Sequence, residues 1–241
     1  MLRRLMQGIV DFAFPKICLS CKNKLYTPDN ENYICQPCRA KIKRNMPPFC
    51  QACGRHLEKQ NLNKNICPGC LRKRLHFDRA FSPCLYEGVI KKLIHEFKYR
   101  NKDHLGKPLS GIMIEFIKEY GLPIDYLDMI IPMPLHATRL REREFNQAEI
   151  FSKYIASEFG IDLASGWLIR HRFTKTQAEL PADNRFSNVK DSFSVPGNRD
   201  LRNKNVLLVD DVLTTGATSS EAALALKDSG ANIVFVLTLA N

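Results

Sequence analysis

No apolar run in this 241-residue sequence approaches the roughly 18 residues that a membrane-spanning helix needs. A secretory leader is missing as well. Residues 1–14 carry Arg3, Arg4 and several apolar residues, but Asp11 interrupts them and no small-residue cleavage site follows. That stretch reads as a short amphipathic helix, and nothing in it directs the chain out of the cytoplasm. Large apolar residues are scarce in the first 80 positions, too few for that segment to build a core unaided. Acidic residues are scarce there too: residues 1–80 hold 16 Lys/Arg against 5 Asp/Glu, whereas residues 81–241 hold 20 of each. The whole net charge of +11 therefore lies in the N-terminal third.

What that third does have is cysteine. Eight of the nine cysteines form four C-x-x-C pairs: Cys18/Cys21, Cys35/Cys38, Cys50/Cys53 and Cys67/Cys70. Thirteen residues separate the two pairs in each half, and the arrangement repeats at an offset of 32. Leu25 matches Leu57 and Ile34 matches Ile66, so the repeat extends beyond the cysteines. Without an export signal this reads as two structural Zn²⁺ sites, each with four thiolates, rather than as disulfides. Redox chemistry at these pairs would need a strand-to-helix context that is missing. The repeat favours one metal on Cys18, Cys21, Cys35 and Cys38 and a second on Cys50, Cys53, Cys67 and Cys70; a cross-braced pairing also gives each metal four ligands. Two zinc ions on eight thiolates would leave the segment with about +7. Arg39, Lys41, Lys43, Arg44, Arg72, Lys73 and Arg74 follow the knuckles, with Tyr26, Tyr33 and Phe49 interleaved. Such a surface suits single-stranded DNA, or is simply the solvated face of a metal-held scaffold. Cys84 stands apart and reads as a small buried residue.

Residues 81–241 carry the pattern of an α/β domain, which puts the domain boundary at 80/81 and gives 1–80 to the zinc module. An edge strand is expected over 81–86. Apolar residues at 89, 90, 93, 94 and 97 predict a helix over 88–100, ending in Lys98 and Tyr99; a second helix covers roughly 104–119. His95 reads as a surface or packing residue. Residues 129–136 form a strand that opens into a loop, and a helix headed by Phe145, Asn146 and Gln147 runs to about 158. Four apolar residues at 206–209 predict a buried parallel strand with Asp210 and Asp211 at its tip. Thr214, Thr215, Gly216, Ala217 and Thr218 then lead into the alanine-rich helix 221–227, and 232–241 is a last buried strand. Unpaired N–H groups and the positive end of a helix dipole make the turn after 210–211 a candidate anion site. It is not a Walker A loop, since no Gly-Lys-Ser/Thr follows, and its one glycine rules out a dinucleotide fingerprint.

The run Val206-Leu-Leu-Val-Asp-Asp-Val-Leu-Thr-Thr-Gly-Ala-Thr218 resembles the phosphoribosyl-pyrophosphate loop of type I phosphoribosyltransferases. That resemblance implies a parallel sheet flanked by helices, the ligand's 5′-phosphate on 214–218, and its ribose hydroxyls on Asp210 and Asp211. It also implies a pyrophosphate loop of Pro134, Leu135 and His136, with Arg139, Arg143, Asn146 and Gln147 beside it; Arg141 is the weaker candidate. Together with the doubled cysteine module, these motifs resemble the ComF family over essentially the full length. Family membership implies phosphoribosyl pyrophosphate with Mg²⁺ as ligand, a tie to DNA uptake and competence, and single-stranded DNA and DNA-uptake proteins as partners. It assigns Lys175, Thr176, Gln177 and Arg185 to a mobile loop that closes over the site. One departure stands out: the family usually has Gly where this chain has Glu144. Two functions follow from the resemblance. One is phosphoribosyl transfer to an unknown nitrogen acceptor; the other is a non-catalytic DNA-binding or assembly factor that senses its ligand at the same site.

Overall fold

The computed structural model describes residues 16–25, 33–99, 103–173, 184–197 and 199–241. The helix expected in 1–14, Tyr26, and Lys175, Thr176 and Gln177 lie outside the described residues. In the cysteine-rich segment, helices α1 (Gln36–Ala40) and α2 (Pro68–Leu71) each start directly after the first cysteine of a C-x-x-C pair. The chain then enters β1 (Arg79–Phe81), α3 (Gly88–Tyr99), α4 (Gly106–Glu119), β2 (Met129–Pro132), α5 (Ala137–Arg143), α6 (Gln147–Phe159), β3 (Asp162–Leu163) and β4 (Ile169–Arg170). It ends with α7 (Asn184–Val189), β5 (Phe193–Ser194), β6 (Asn205–Val212), α8 (Ala217–Asp228) and β7 (Ile233–Ala240).

Five strands form one sheet in the order β1-β7-β6-β2-β3, and every neighbouring pair is parallel. Side chains alternate across it. Leu207 and Val209 of β6 join the apolar cluster built with α3, α4 and α6, while Val206 and Leu208 join the cluster under α8. A strand buried on both faces reads as a continuous apolar run, as 206–209 does. β4 and β5 make a separate antiparallel ribbon on the α8 side.

Sheet order fixes where a ligand can sit. β2 leads outward to β3, whereas β6 leads the other way to β7. The connections after β2 and β6 therefore diverge, opening a crevice at the carboxyl ends of these paired strands.

Four expectations shift. The edge strand proper occupies 79–81, and beyond it the pairing with the end of β7 continues only as isolated contacts, a Cys84–Ala240 bridge and Tyr86 N–H donating to Asn241 O at 2.9 Å. Asp210 and Asp211 lie inside β6, which runs on to Val212, because Asp210 and Val212 still pair with Thr238 and Ala240 of β7. Arg139 and Arg143 stand on a helix of their own, α5, divided from α6 by Glu144 at φ +65°. The β4–β5 ribbon had no period long enough to announce it.

The cysteine-rich segment docks on the sheet through close backbone contacts. Ala80 N–H donates to Ala52 O at 2.8 Å, and a Cβ on Gly54 would sit 2.3 Å from Ala80 O. With φ +69° as well, that position excludes other residues on two counts. Asn45, 1 % exposed, pins the joint: its Nδ2 donates to Gly54 O and Ser82 O at 2.8 Å each, and its Oδ1 accepts from His56 N–H.

Candidate ligand crevice and metal-binding cysteines

The β6–α8 turn has the backbone an anion loop requires. Gly216, at φ +81°, precedes α8 and has no side chain with which to cap it. Ala217 and Gly216 are buried, Thr215 and Thr218 half-buried, and Thr214 exposed. Thr215 Oγ1 accepts from Ala217 N–H at 3.4 Å.

Behind this loop the two acids are not equivalent. Asp211, 9 % exposed, pairs with Lys98 Nζ at 2.7 Å. Burial pulls the Lys98 ammonium down, but the carboxylates of Asp211 and Asp210 outweigh it and leave its pKa above the ordinary value. Asp210 Oδ1 accepts from the Asp211 N–H at 2.8 Å. Burial, followed by the neighbouring Asp211 charge, pushes the Asp210 carboxyl up to about 7.

Cations surround the pair. Arg143 repels Lys98, and Arg139 and Asp210 both act on Arg170. Burial, then the charge of Arg139, brings the Arg170 guanidinium down to about 10. Arg170 stacks on Phe193 at 5.3 Å, and Arg139 on Phe173 at 5.8 Å. Sequence reasoning missed Arg170, which sits on the ribbon; the only signal was a basic cluster, Arg170-His-Arg172, ahead of the 174–180 segment. Lys98, at the end of its helix as the sequence places it, reaches the crevice through Asp211.

Most of the β2-loop candidates are spent on architecture. His136 caps α5 by accepting from Thr138 N–H at 3.2 Å and packs edge-on against Phe173. Asn146 caps α6 through Ala148 N–H and donates to Met133 O at 3.0 Å, tying the loop to the helix. Gln147 is buried and bridges Arg143 and Phe97 O. Pro134 and Leu135 are half-buried at the mouth, Arg141 is exposed, and Arg185 is half-buried on α7. The structure thus gathers Asp210, Asp211, Lys98, Arg139, Arg143 and Arg170 at one crevice, with Asn146 and Gln147 as its frame.

The eight paired cysteines fall into two groups, Cys18, Cys21, Cys35 and Cys38, and Cys50, Cys53, Cys67 and Cys70, with all four sulfurs of each within 4.8 Å of one another. Tetrahedral zinc with Zn–S of about 2.3 Å separates its sulfurs by roughly 3.8 Å. The Cys21–Cys35 and Cys53–Cys67 sulfurs are each 3.7 Å apart, so both groups suit structural zinc in the sequential pairing. The backbone N–H groups of Cys35 and Cys67 point at Cys18 Sγ and Cys50 Sγ, at 3.4 and 3.3 Å. Magnesium has a different outlook: it binds through one or two carboxylates plus ligand phosphates, and Asp210 and Asp211 are the pair on offer. Cys84 is fully buried, and burial pushes its thiol up to about 12.

The basic and aromatic residues of the module are largely engaged. Arg39 and Arg44 both pair with Glu115 and Lys43 pairs with Glu87, all across the joint. Tyr33 packs on His104 at 3.9 Å, and Phe49 meets Phe116 and Tyr120 edge-on. Lys41, Arg72 and Arg74 remain exposed.

Residues 9–77 match the double zinc ribbon domain. Competence protein F of Haemophilus influenzae is 28% identical over 226 residues, spanning 92% of this chain and 96% of that protein. DNA utilization protein YhgH of Salmonella typhi is 29% identical, over 93% and 96%. Competence protein ComFC of Bacillus subtilis is 26% identical, over 89% and 90%. Among solved structures, the B. subtilis glutamine phosphoribosylpyrophosphate amidotransferase matches 59% of this chain and 30% of its own at 20% identity, TM-score 0.39. Leishmania tarentolae adenine phosphoribosyltransferase matches 56% and 71% at 18% identity, TM-score 0.34. Over most of its length this chain is a relative of the proteins named Competence protein F, ComFC and DNA utilization protein YhgH, and it carries a parallel-sheet domain behind a double zinc ribbon.

Proposed function

We propose that the crevice between β2 and β6 binds phosphoribosyl pyrophosphate with Mg²⁺, and that the protein uses this ligand in DNA uptake. The observation that carries the reading is the convergence of a helix start with glycine at its N-cap with two acids and several cations at the ends of two diverging strands. The phosphate seats on 214–218, the ribose hydroxyls lie over Asp210 and Asp211, and Arg139, Arg143 and Arg170 answer the pyrophosphate charge. Mg²⁺, where bound, neutralises the pyrophosphate. In phosphoribosyl transfer the bond from the anomeric carbon to pyrophosphate breaks, the pyrophosphate leaves with that electron pair, and a nitrogen nucleophile forms the new bond. The carboxylates stabilise the positive charge that develops on the ribose.

One observation favours a second reading, in which the site binds without turning over. Asp211 is already neutralised by Lys98, and burial raises the Asp210 carboxyl well above the ordinary carboxylate range, so the acid pair offers less negative charge to a cationic transition state than two free carboxylates would. In this reading ligand occupancy is a signal, and the exposed Lys41, Arg72 and Arg74 contribute to single-stranded DNA binding. Pyrophosphate release from phosphoribosyl pyrophosphate, followed across a panel of bases and amines, separates the two. Release with one acceptor establishes transfer. Saturable binding with no release establishes the sensor, and no binding removes both.

A further inference from the structure

The second cysteine cluster and the sugar-phosphate loop share one cleft. A small cleft of about 40 Å³ is lined on one side by Cys53, Cys67 and Cys70 and on the other by Thr214, Thr215 and Gly216. Arg55, two residues beyond Cys53, donates from Nη2 to Thr214 O at 3.3 Å and so holds the loop directly. The chain leaving Cys70 continues over the same loop. Leu75 Cδ2 lies 3.4 Å from where a Gly216 Cβ would be, and His76 N–H donates to Ser220 Oγ at 3.0 Å in the first turn of α8. Lys73 also lines the cleft, with its ammonium 5.5 Å from the Phe186 ring.

A second observation says that the cleft receives something polar. Asn241 lines it, and both polar atoms of the Asn241 amide are buried with no hydrogen-bond partner. A buried donor and acceptor left unpaired are costly, which makes such a group a candidate for satisfaction by a ligand. The first cysteine cluster has no comparable position: its residues meet α3 and α4, through Lys22 with Glu96 and Arg39 with Glu115.

Resting on the ligand reading above, we propose that the second zinc ribbon is a working part of the ligand site. Arg55, Lys73 and the Asn241 amide hold the phosphate end of a sugar-phosphate seated on 214–218. Ligand occupancy and zinc retention at Cys50, Cys53, Cys67 and Cys70 then reinforce each other. Arg55 suits the role because its fork of five N–H donors exceeds what one carbonyl takes, leaving donors for a phosphate. Coupling follows from geometry: loss of the metal frees the segment that carries Arg55, Lys73 and Leu75, and with it the wall of the cleft. Being a free-energy coupling, it acts in both directions by the same factor.

The test uses the zinc-loaded, full-length protein, with phosphoribosyl pyrophosphate and Mg²⁺ as probe. Calorimetric titration of Arg55→Ala is expected to show about tenfold weaker affinity than the parent, the loss of one charge-assisted hydrogen bond. Arg55→Lys recovers part of it. Lys59→Ala, an exposed cation of the same module outside the cleft, leaves affinity unchanged. Competition with a chromophoric chelator supplies the second readout: the probe raises the affinity for one of the two zinc ions, and Cys70→Ser removes that protected ion whereas Cys21→Ser does not. Parent-like affinity in Arg55→Ala, or a probe that protects both ions equally or neither, overturns the inference alone. Failure of the parent protein to bind the probe overturns the ligand reading with it.

Discussion

Asp210 is a carboxyl group whose acidity the fold changes strongly. An unfolded aspartate titrates near 3.9, and burial holds this one near 7. The folded state therefore binds the extra proton between these values, so this group's contribution falls as pH rises through that window and is lowest above 7. Asp210→Asn is expected to raise stability at pH 8 by about 1–2 kcal/mol and to change it little at pH 4, which denaturant midpoints at the two pH values will show. A parent-like midpoint at pH 8 would contradict the burial argument. Glu144 makes a second prediction at this scale. Its φ of +65° puts an L side chain in the left-handed region, where glycine is at ease. Glu144→Gly is expected to stabilise by about 0.5–1 kcal/mol, read as a shift in thermal midpoint. The glycine that the resemblance leads one to expect at this place would have that physical reason.

At the scale of elements, the joint between zinc ribbon and sheet is the exposed point of the design. Asn45 makes three side-chain hydrogen bonds in a dry setting, and truncation leaves several buried backbone groups unpaired. Asn45→Ala is expected to cost about 2–4 kcal/mol, with early hydrogen exchange at Ala80 and Gly54 while β6 and β7 stay protected. Uniform loss of protection would mean the joint and the sheet unfold as one unit. Removing zinc with a chelator is expected to unfold the ribbon first, because each group of four thiolates stands in for an apolar core. Far-UV circular dichroism should retain the signal of α3, α4, α6 and α8. Elements with a long period or an unbroken apolar run were legible beforehand, including α3, β6, β7 and the spacing of both cysteine groups. The break between α5 and α6 was hidden because Glu144 carries no glycine signature. β4 and β5 were hidden because a two-residue pairing depends on a distant partner, Ile169 with Ser194, rather than on local pattern.

Across the whole molecule, charge is distributed to assemble rather than merely to attract. The N-terminal third carries the net charge, yet Arg39, Lys43 and Arg44 spend theirs on Glu115 and Glu87 of the sheet domain, and Arg55 reaches the loop. Screening at high salt should therefore weaken docking of the ribbon as well as any nucleic-acid binding. The crevice was legible in its acids and loop because chemistry concentrated there in thirteen consecutive residues. Arg139 and Arg143 were legible through the resemblance, whereas Arg170 was not, since it arrives from the β4–β5 ribbon, which only the folded sheet brings alongside. The central claim is that a sugar-phosphate docks at the end of β6. Calorimetric titration of the zinc-loaded protein with phosphoribosyl pyrophosphate and Mg²⁺, on the parent and on Asp211→Asn, tests it most directly. The account predicts one saturable site in the parent and a loss of roughly 1.5–3 kcal/mol in the variant; no heat of binding in the parent, or equal affinity in both, would contradict it.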